Sequence, residues 1–385
     1  LARLSRFDPY FQNRLLAISG ASGGSLGAAV YHEMAVRRKL SVTTNGHEQL
    51  CSEIQIYWSG VESQIDKLFG ADFISPMIAH AFRIDIFREI GLIWVLDHLL
   101  DRASLHPVPS RDIALGATLA RELSNIFGAG TPAGNPIGES WSATNATPAL
   151  FLNVTSAATG NRLYLSPWSL EAQSNKAPRS AKAERRWFRA LTAPYTTSVD
   201  AALMSARFPY ITPATHLRIG GESHRFLDGG YFDNSGLVTL QDIKTILRDV
   251  LTAESDKNPE LNFELVILAT TLESSDGVYV SKPAFYEWAT PLTLLNQIRA
   301  ARGEEVVSDA ESIQQEEELK SSRETLRMKP TVRERFIKLP LRTANNFLPL
   351  GWAVSEQTRK SVSDSVDLAM GSIVLPEGVP TCSGH

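Results

Sequence analysis

Between Ser19 and Ser25 the chain reads Ser-Gly-Ala-Ser-Gly-Gly-Ser, directly after the apolar run Leu15-Leu16-Ala17-Ile18. Two registers of G-x-S-x-G fit: Gly20-Ala21-Ser22-Gly23-Gly24 and Gly23-Gly24-Ser25-Leu26-Gly27. A serine on a tight turn between a strand and a helix is a nucleophile elbow. Small neighbours let the chain double back, and backbone N–H groups at the helix start face a developing oxyanion. Ser22 falls where the chain must reverse, four residues past Ile18, whereas Ser25 falls inside the helix that Leu26 to Met34 predicts. Ser22 is therefore the expected nucleophile, with the Gly23 N–H as oxyanion donor and Gly20 and Gly24 as the small residues of the elbow.

A serine hydroxyl needs a base to attack an ester. Histidines stand at positions 32, 47, 80, 98, 106, 216, 224 and 385. Ser22, Asp200 and His216 or His224 follow the nucleophile–acid–histidine order of an α/β-hydrolase, but neither histidine lies in a loop after a clear strand. Asp228 is better placed: it ends the strand-like Phe226-Leu227 and precedes Gly229 and Gly230, so its carboxylate projects from a tight turn that another backbone can approach closely. Such an aspartate serves as a direct base when desolvation raises its pKa. Taken alone, Asp-Gly-Gly reads as an ordinary turn.

Elements must hold these groups together. The pattern predicts a mostly helical region over 26–127, a hairpin from Leu150–Thr155 through Thr159-Gly160-Asn161 to Arg162–Leu165, and a helix over Ser198–Arg207. An amphipathic helix follows over Leu237–Leu251, then a central strand over Phe263–Ala269. The apolar stretch Ile78–Leu100 reads as a helical layer over the sheet or as a cap that touches lipid. Gly128–Pro148 reads as a loop, 171–189 as an exposed polar excursion, and the charged stretch 304–335 as a solvated helix or partly disordered excursion. Strands alternating with helices argue for an α/β domain with a largely parallel sheet.

The 385 residues, 43% of them hydrophobic, suffice for a large core. A formal net charge of −4 lacks the basic footprint of a nucleic-acid binder. Cys51 and Cys382 stand far apart without metal-ligand spacing, which suits a reducing compartment and gives no disulfide framework. The triplets Asn145-Ala146-Thr147 and Asn153-Val154-Thr155 match glycosylation acceptors but arise often by chance. The longest apolar run, Ile90–Leu96, falls well short of the ~18 residues of a membrane span. No signal peptide is visible, so a cytoplasmic or peripherally membrane-associated location is expected.

The two motifs in this order resemble the patatin-like phospholipase family: a strand, G-x-S-x-G, a helix of small residues and, much later, Asp-Gly-Gly. Two further stretches agree: Leu150–Leu165 is similar to the family's strand pair, and Ala201–Pro209 to its Ala/Ser-rich helix ending near proline. The resemblance implies a three-layer α/β/α sandwich with a mainly parallel central sheet and helical insertions. It implies that Ser22 and Asp228 form a catalytic dyad without histidine, metal or cofactor, hydrolysing acyl esters of phospholipids or other lipids through an acyl-enzyme. Residues 1–300 would form the catalytic domain, with a helical insertion at about 50–130, and 301–385 a charged helical excursion and closing segment. The family's glycine-rich oxyanion loop lies upstream of the elbow, and residues 1–19 hold no glycine, so an N-terminally truncated member is expected. Two other readings remain open: a catalytically impaired lipid-binding or regulatory protein of the same fold, and a histidine-dependent α/β-hydrolase esterase.

Overall fold

A computed structural model describes residues 1–38, 47–73, 75, 111–127, 136–139, 141, 147–168, 196–207, 212, 214–219, 222–258, 260–273, 305–313, 315, 332–342, 355–372 and 382. Helices α1 (Ala2–Phe7) and α2 (Phe11–Arg14) lead into strand β1 (Ala17–Ala21), which turns at Ser22 into α3 (Gly23–Arg37). Two long helices follow, α4 (His47–Phe69) and α5 (Arg111–Phe127). Strands β2 (Ala149–Ser156) and β3 (Arg162–Leu165) form the expected hairpin. Next come α6 (Ser198–Ser205), β4 (Thr215–Ile219), β5 (Glu222–Asp228) and α7 (Leu237–Lys257). The chain continues through β6 (Phe263–Glu273), a helix α8 over 305–313, β7 (Val332–Arg342) and α9 (Glu356–Ser372).

The protein is a mixed α/β structure with small sheets, and the described residues form no barrel. Its main sheet runs β1-β2-β5-β4, with β3 also on β2. β1 pairs with β2 in parallel, while β2–β3, β2–β5 and β4–β5 are antiparallel. The described pairings of this sheet are thus mostly antiparallel, unlike the largely parallel sheet that alternation alone suggests. The hairpin returns explain this, because a short connection can join only antiparallel neighbours. Phe263–Ala269 is a strand, and among the described residues β6 pairs only with β7, in parallel, with no pairing to the main sheet. The basic end of the charged stretch begins β7, while its acidic start is helical in α8. Ile78–Leu100, the excursion 171–189 and most of the loop 128–148 lie outside the described residues.

β2 is the spine of the core. Its run from Ala149 to Val154, apolar except at Asn153, marks a strand covered on both faces. Leu150, Leu152 and Val154 point into a cluster with Leu26 and Val30 of α3, Trp58 of α4, Leu119 of α5 and Ala202 of α6. Ala149 and Phe151, one residue out of phase, pack instead against Ile243 of α7. Burying each large aliphatic or aromatic side chain here contributes about 1.5–3 kcal/mol. Helix α3 is buried almost all round from Ser25 to Ala35, which explains its lack of a polar face. Its Tyr31 ring stacks on Trp58 at 5.1 Å, tying α3 to α4.

Cys51 and Cys382 form a disulfide, contrary to the expectation of two unpaired cysteines. The bridge joins positions 331 apart, and spacing along the chain carries no information about such a long-range meeting. Polar contacts reinforce the closure. Arg3 pairs with Glu62 of α4 and Asp367 of α9, Arg359 of α9 meets Asp66 of α4 at 3.2 Å, and the Cys382 N–H donates to the Phe7 carbonyl. Disulfides persist mainly in oxidising compartments. Among the described residues, no helix is long and apolar enough to cross a membrane.

Candidate active site

Ser22 occupies the turn between β1 and α3 with φ 54° and ψ −131°, and it is the one non-glycine residue with positive φ among those described. Holding a serine there costs about 1–3 kcal/mol, a strain typical of functional turns. Its position is formally the N-cap of α3, where a serine side chain ordinarily accepts a hydrogen bond from the first helical turn. Ser22 makes no such bond. Its Oγ instead donates to Asp228 Oδ2 at 2.7 Å.

Strand register explains the meeting. Ala21 is level with Asn153 on β2, so Ser22 is level with Val154. On the same edge of β2, one residue beyond Asn153, Val154 pairs with Asp228, while β3 takes the opposite edge. Because β1 runs parallel to β2 and β5 antiparallel to it, the C-terminal ends of β1 and β5 arrive at one height. They abut end to end along one edge of β2, β3 occupying the other, so Ser22 and Asp228 are immediate neighbours. The elbow turns the Ser22 hydroxyl toward the aspartate across that junction.

Asp228 is fully buried. Its Oδ1 accepts the Gly230 N–H at 2.7 Å, leaving Oδ2 aimed at Ser22. The backbone is fixed on both sides: the Thr155 hydroxyl donates to the Asp228 carbonyl at 2.9 Å, and the Asp228 N–H donates to the Arg207 carbonyl at 3.1 Å. The glycines have distinct duties. A Cβ on Gly20 would lie 2.8 Å from backbone atoms of Gly24 and Ser25, so β1 can meet α3 only without a side chain there. A Cβ on Gly229 would lie 2.1 Å from the Asn153 carbonyl oxygen. Gly23 and Gly24 are exposed, and a Cβ on either would meet nothing within 4 Å. Their N–H groups belong to the first turn, which has no intrahelical acceptors, and Gly23 follows the nucleophile directly.

Ser25 has a different role. It is fully buried, and its Oγ lies 2.6 Å from Ser205 Oγ. Ser205 spends its own proton on the Asn153 carbonyl, so Ser25 is the donor of this pair. A hydroxyl committed in this way ties α3 to α6 and is not available for attack.

Asp200 and the two histidines of the histidine-based arrangement lie on α6 and the β4–β5 hairpin. Asp200 belongs to the N-cap of α6, exchanging bonds with Thr197. His216 and His224 sit on the β4–β5 hairpin, where His224 stacks on Phe226. His224 lies four positions before Asp228, about 13 Å along a strand. His32 is fully buried beside Glu33. Asp233, another buried carboxylate nearby, accepts bonds from Ser235, Gly236 and Val238 and serves as the cap of α7. Among the described residues no cluster of His, Cys, Asp and Glu could hold a metal ion.

Asn153 escaped the reading of the sequence except as a glycosylation triplet, and it is no acceptor site: it is fully buried with its amide engaged. The available signal was a lone polar residue within the apolar run Leu150-Phe151-Leu152-Asn153-Val154. Asn145 lies outside the described residues. No protein-family model and no curated protein matches the chain, so the family resemblance rests on the motifs themselves.

Proposed function

We propose that the protein is a serine lipid acyl hydrolase of patatin-like type, acting as a phospholipase A or lipase through a Ser22–Asp228 dyad. The observation that carries this reading is the 2.7 Å hydrogen bond from Ser22, held in a strained elbow, to a buried aspartate. A surface serine does not require positive φ, and a capping serine does not turn away from its helix. The packing of β2, with α3 and α6 on one face and α7 on the other, supports a three-layer α/β/α arrangement.

In the reaction, Ser22 Oγ attacks the ester carbonyl carbon as its proton passes to Asp228 Oδ2. The carbonyl oxygen takes the negative charge of the tetrahedral intermediate, facing the Gly23 N–H at the α3 N-terminus. Collapse breaks the bond to the alcohol, which leaves with the proton from Asp228, and the acyl group remains on Ser22. Water then gives a proton to Asp228 and attacks the acyl-enzyme. Ser22 recovers that proton and the fatty acid departs. The dyad needs no cofactor. The substrate class, an acyl ester of a membrane or storage lipid, implies peripheral contact with a lipid surface.

Labelling with a fluorophosphonate, followed by intact-mass and peptide mapping, tests the activated serine. One adduct on Ser22 is the expected result, with hydrolysis of p-nitrophenyl and phospholipid esters lost in the labelled protein. A protein that turns over no acyl ester and leaves Ser22 unlabelled would refute the reading.

A further inference from the structure

Asn153 touches both halves of the candidate site. Its Nδ2 donates to the Gly20 carbonyl at 2.8 Å and to Ser19 Oγ at 3.0 Å, both on β1 immediately before the elbow. Its backbone carbonyl lies against Gly229, where even a methyl group would collide, and accepts the Ser205 hydroxyl. The elbow and the aspartate turn are therefore referenced to the same residue. We propose that Asn153 is a positioning residue that sets the Ser22–Asp228 pair, its amide locked by a relay from Asp242 through Arg162 and Thr239. The proposal rests on the hydrolase reading for its effect on rate, but its geometric content stands independently.

Hydrogen-bond bookkeeping fixes the direction of the relay. Arg162 only donates, and Asp242 accepts its Nη2 at 2.7 Å, which anchors the guanidinium. Its Nη1 donates to Thr239 Oγ1 at 2.5 Å. The Thr239 hydroxyl is thereby turned to spend its own proton on Asn153 Oδ1, at 2.6 Å. With Oδ1 held there, Nδ2 must face Gly20 and Ser19, and the Gly20 carbonyl can do nothing but accept. One amide orientation satisfies every partner, and the flipped one sets Oδ1 against a carbonyl oxygen. Thr239, Asn153 and Arg162 are all buried, so water does not substitute for a missing member. Thr239 stands on α7, whose leading loop contains Gly236, and a Cβ on Gly236 would lie 2.8 Å from Ser19 Oγ. The chain leaving the aspartate turn is thus tied back to β1.

Positioning errors near 1 Å cost on the order of 100-fold in rate. Three variants test the claim: Asn153→Leu, which keeps the branched shape and deletes both polar ends; Thr239→Val, which removes only the hydroxyl; and Thr239→Ser, which restores it. Fluorophosphonate labelling of Ser22 and kcat and KM on p-nitrophenyl butyrate are measured below each variant's melting transition, and crystal structures give the Ser22–Asp228 distance. Asn153→Leu is expected to slow labelling and kcat roughly 100-fold, and Thr239→Val roughly 10-fold, with KM little changed. Thr239→Ser recovers to within about threefold of the wild type. In the crystal, the Ser22 Oγ–Asp228 Oδ2 separation of 2.7 Å opens beyond hydrogen-bond range in the impaired variants. A folded Asn153→Leu that labels at the wild-type rate, or a Thr239→Val indistinguishable from Thr239→Ser, overturns the proposal. Should Asn153→Leu fail to fold, the Thr239 pair decides alone. If wild-type Ser22 proves unreactive, the hydrolase reading falls, and the crystallographic separation alone upholds or overturns the positioning claim.

Discussion

Replacing Asp228 by asparagine isolates the base with little change of shape. Asparagine can keep the bond from the Gly230 N–H through its Oδ1, the 2.7 Å contact that orients the native carboxylate. The second terminus is then Nδ2, which donates. Ser22 Oγ would face a donor where it now has an acceptor at 2.7 Å, and its proton would have nowhere to go. A general base within hydrogen-bond reach contributes about 10²–10⁴ in rate, or roughly 2.7–5.4 kcal/mol of barrier at 1.36 kcal/mol per decade. The Ser22 bond lost from the folded state is worth about 1 kcal/mol. The assay is the second-order rate of fluorophosphonate labelling, read by intact mass, beside a thermal melt. A loss of at least 100-fold with a melt shifted by only a few degrees is expected. Asp228→Asn labelling on Ser22 within tenfold of the wild type would refute the reasoning, because the aspartate would not be the proton acceptor.

Ser25→Ala deletes the buried bond to Ser205 and should cost about 1 kcal/mol, while Ser22 still labels within about threefold of the wild-type rate; loss of labelling would make Ser25 the nucleophile. Gly229→Ala places a methyl group 2.1 Å from the Asn153 oxygen and should destabilise the protein by about 1–3 kcal/mol, whereas Gly24→Ala, with nothing within 4 Å, should leave urea denaturation unchanged or slightly strengthened. Equal midpoints for the two variants would show that the Gly229 contact is absent. Reduction of the Cys51–Cys382 bridge should lower stability by about 2–5 kcal/mol. Thiol titration without reductant should find no free cysteine, and two titratable thiols in the denatured protein would disprove the bridge.

The elbow was legible because it is local. Its small residues, the preceding apolar run and the helix after it lie within a short stretch, and sterics dictate all three. The hairpin and the helices at α6 and α7 were legible for the same reason, through turn residues and apolar periodicity. Sheet membership was not. Phe263–Ala269 reads as a central strand because an apolar run such as Leu265–Ala269 marks a strand without naming its neighbour. The disulfide and the salt bridges joining α1, α4 and α9 were equally hidden, since each joins residues remote in sequence. Asn153 lies between these cases. An isolated polar residue in a buried strand announces that partners exist, but their identity emerges only when β1 and α7 are laid on either side of it.

The shared height of Ser22 and Asp228 makes β2 a gauge for the candidate site. Ser22 is measured from the Ala21–Asn153 pair and Asp228 from Val154, the next residue on the same edge, so the interval between adjacent β2 residues enters their separation directly. Inserting one residue between Asn153 and Val154 would move the end of β5 about 3.3 Å away from the end of β1 and turn the following side chains to the opposite face. That shift exceeds the whole 2.7 Å of the bond it would break. Length changes at the hairpin turn around Gly160 fall beyond the gauge and leave both measurements intact. Variation in chain length along this hairpin should therefore collect at its tip and spare the strand itself.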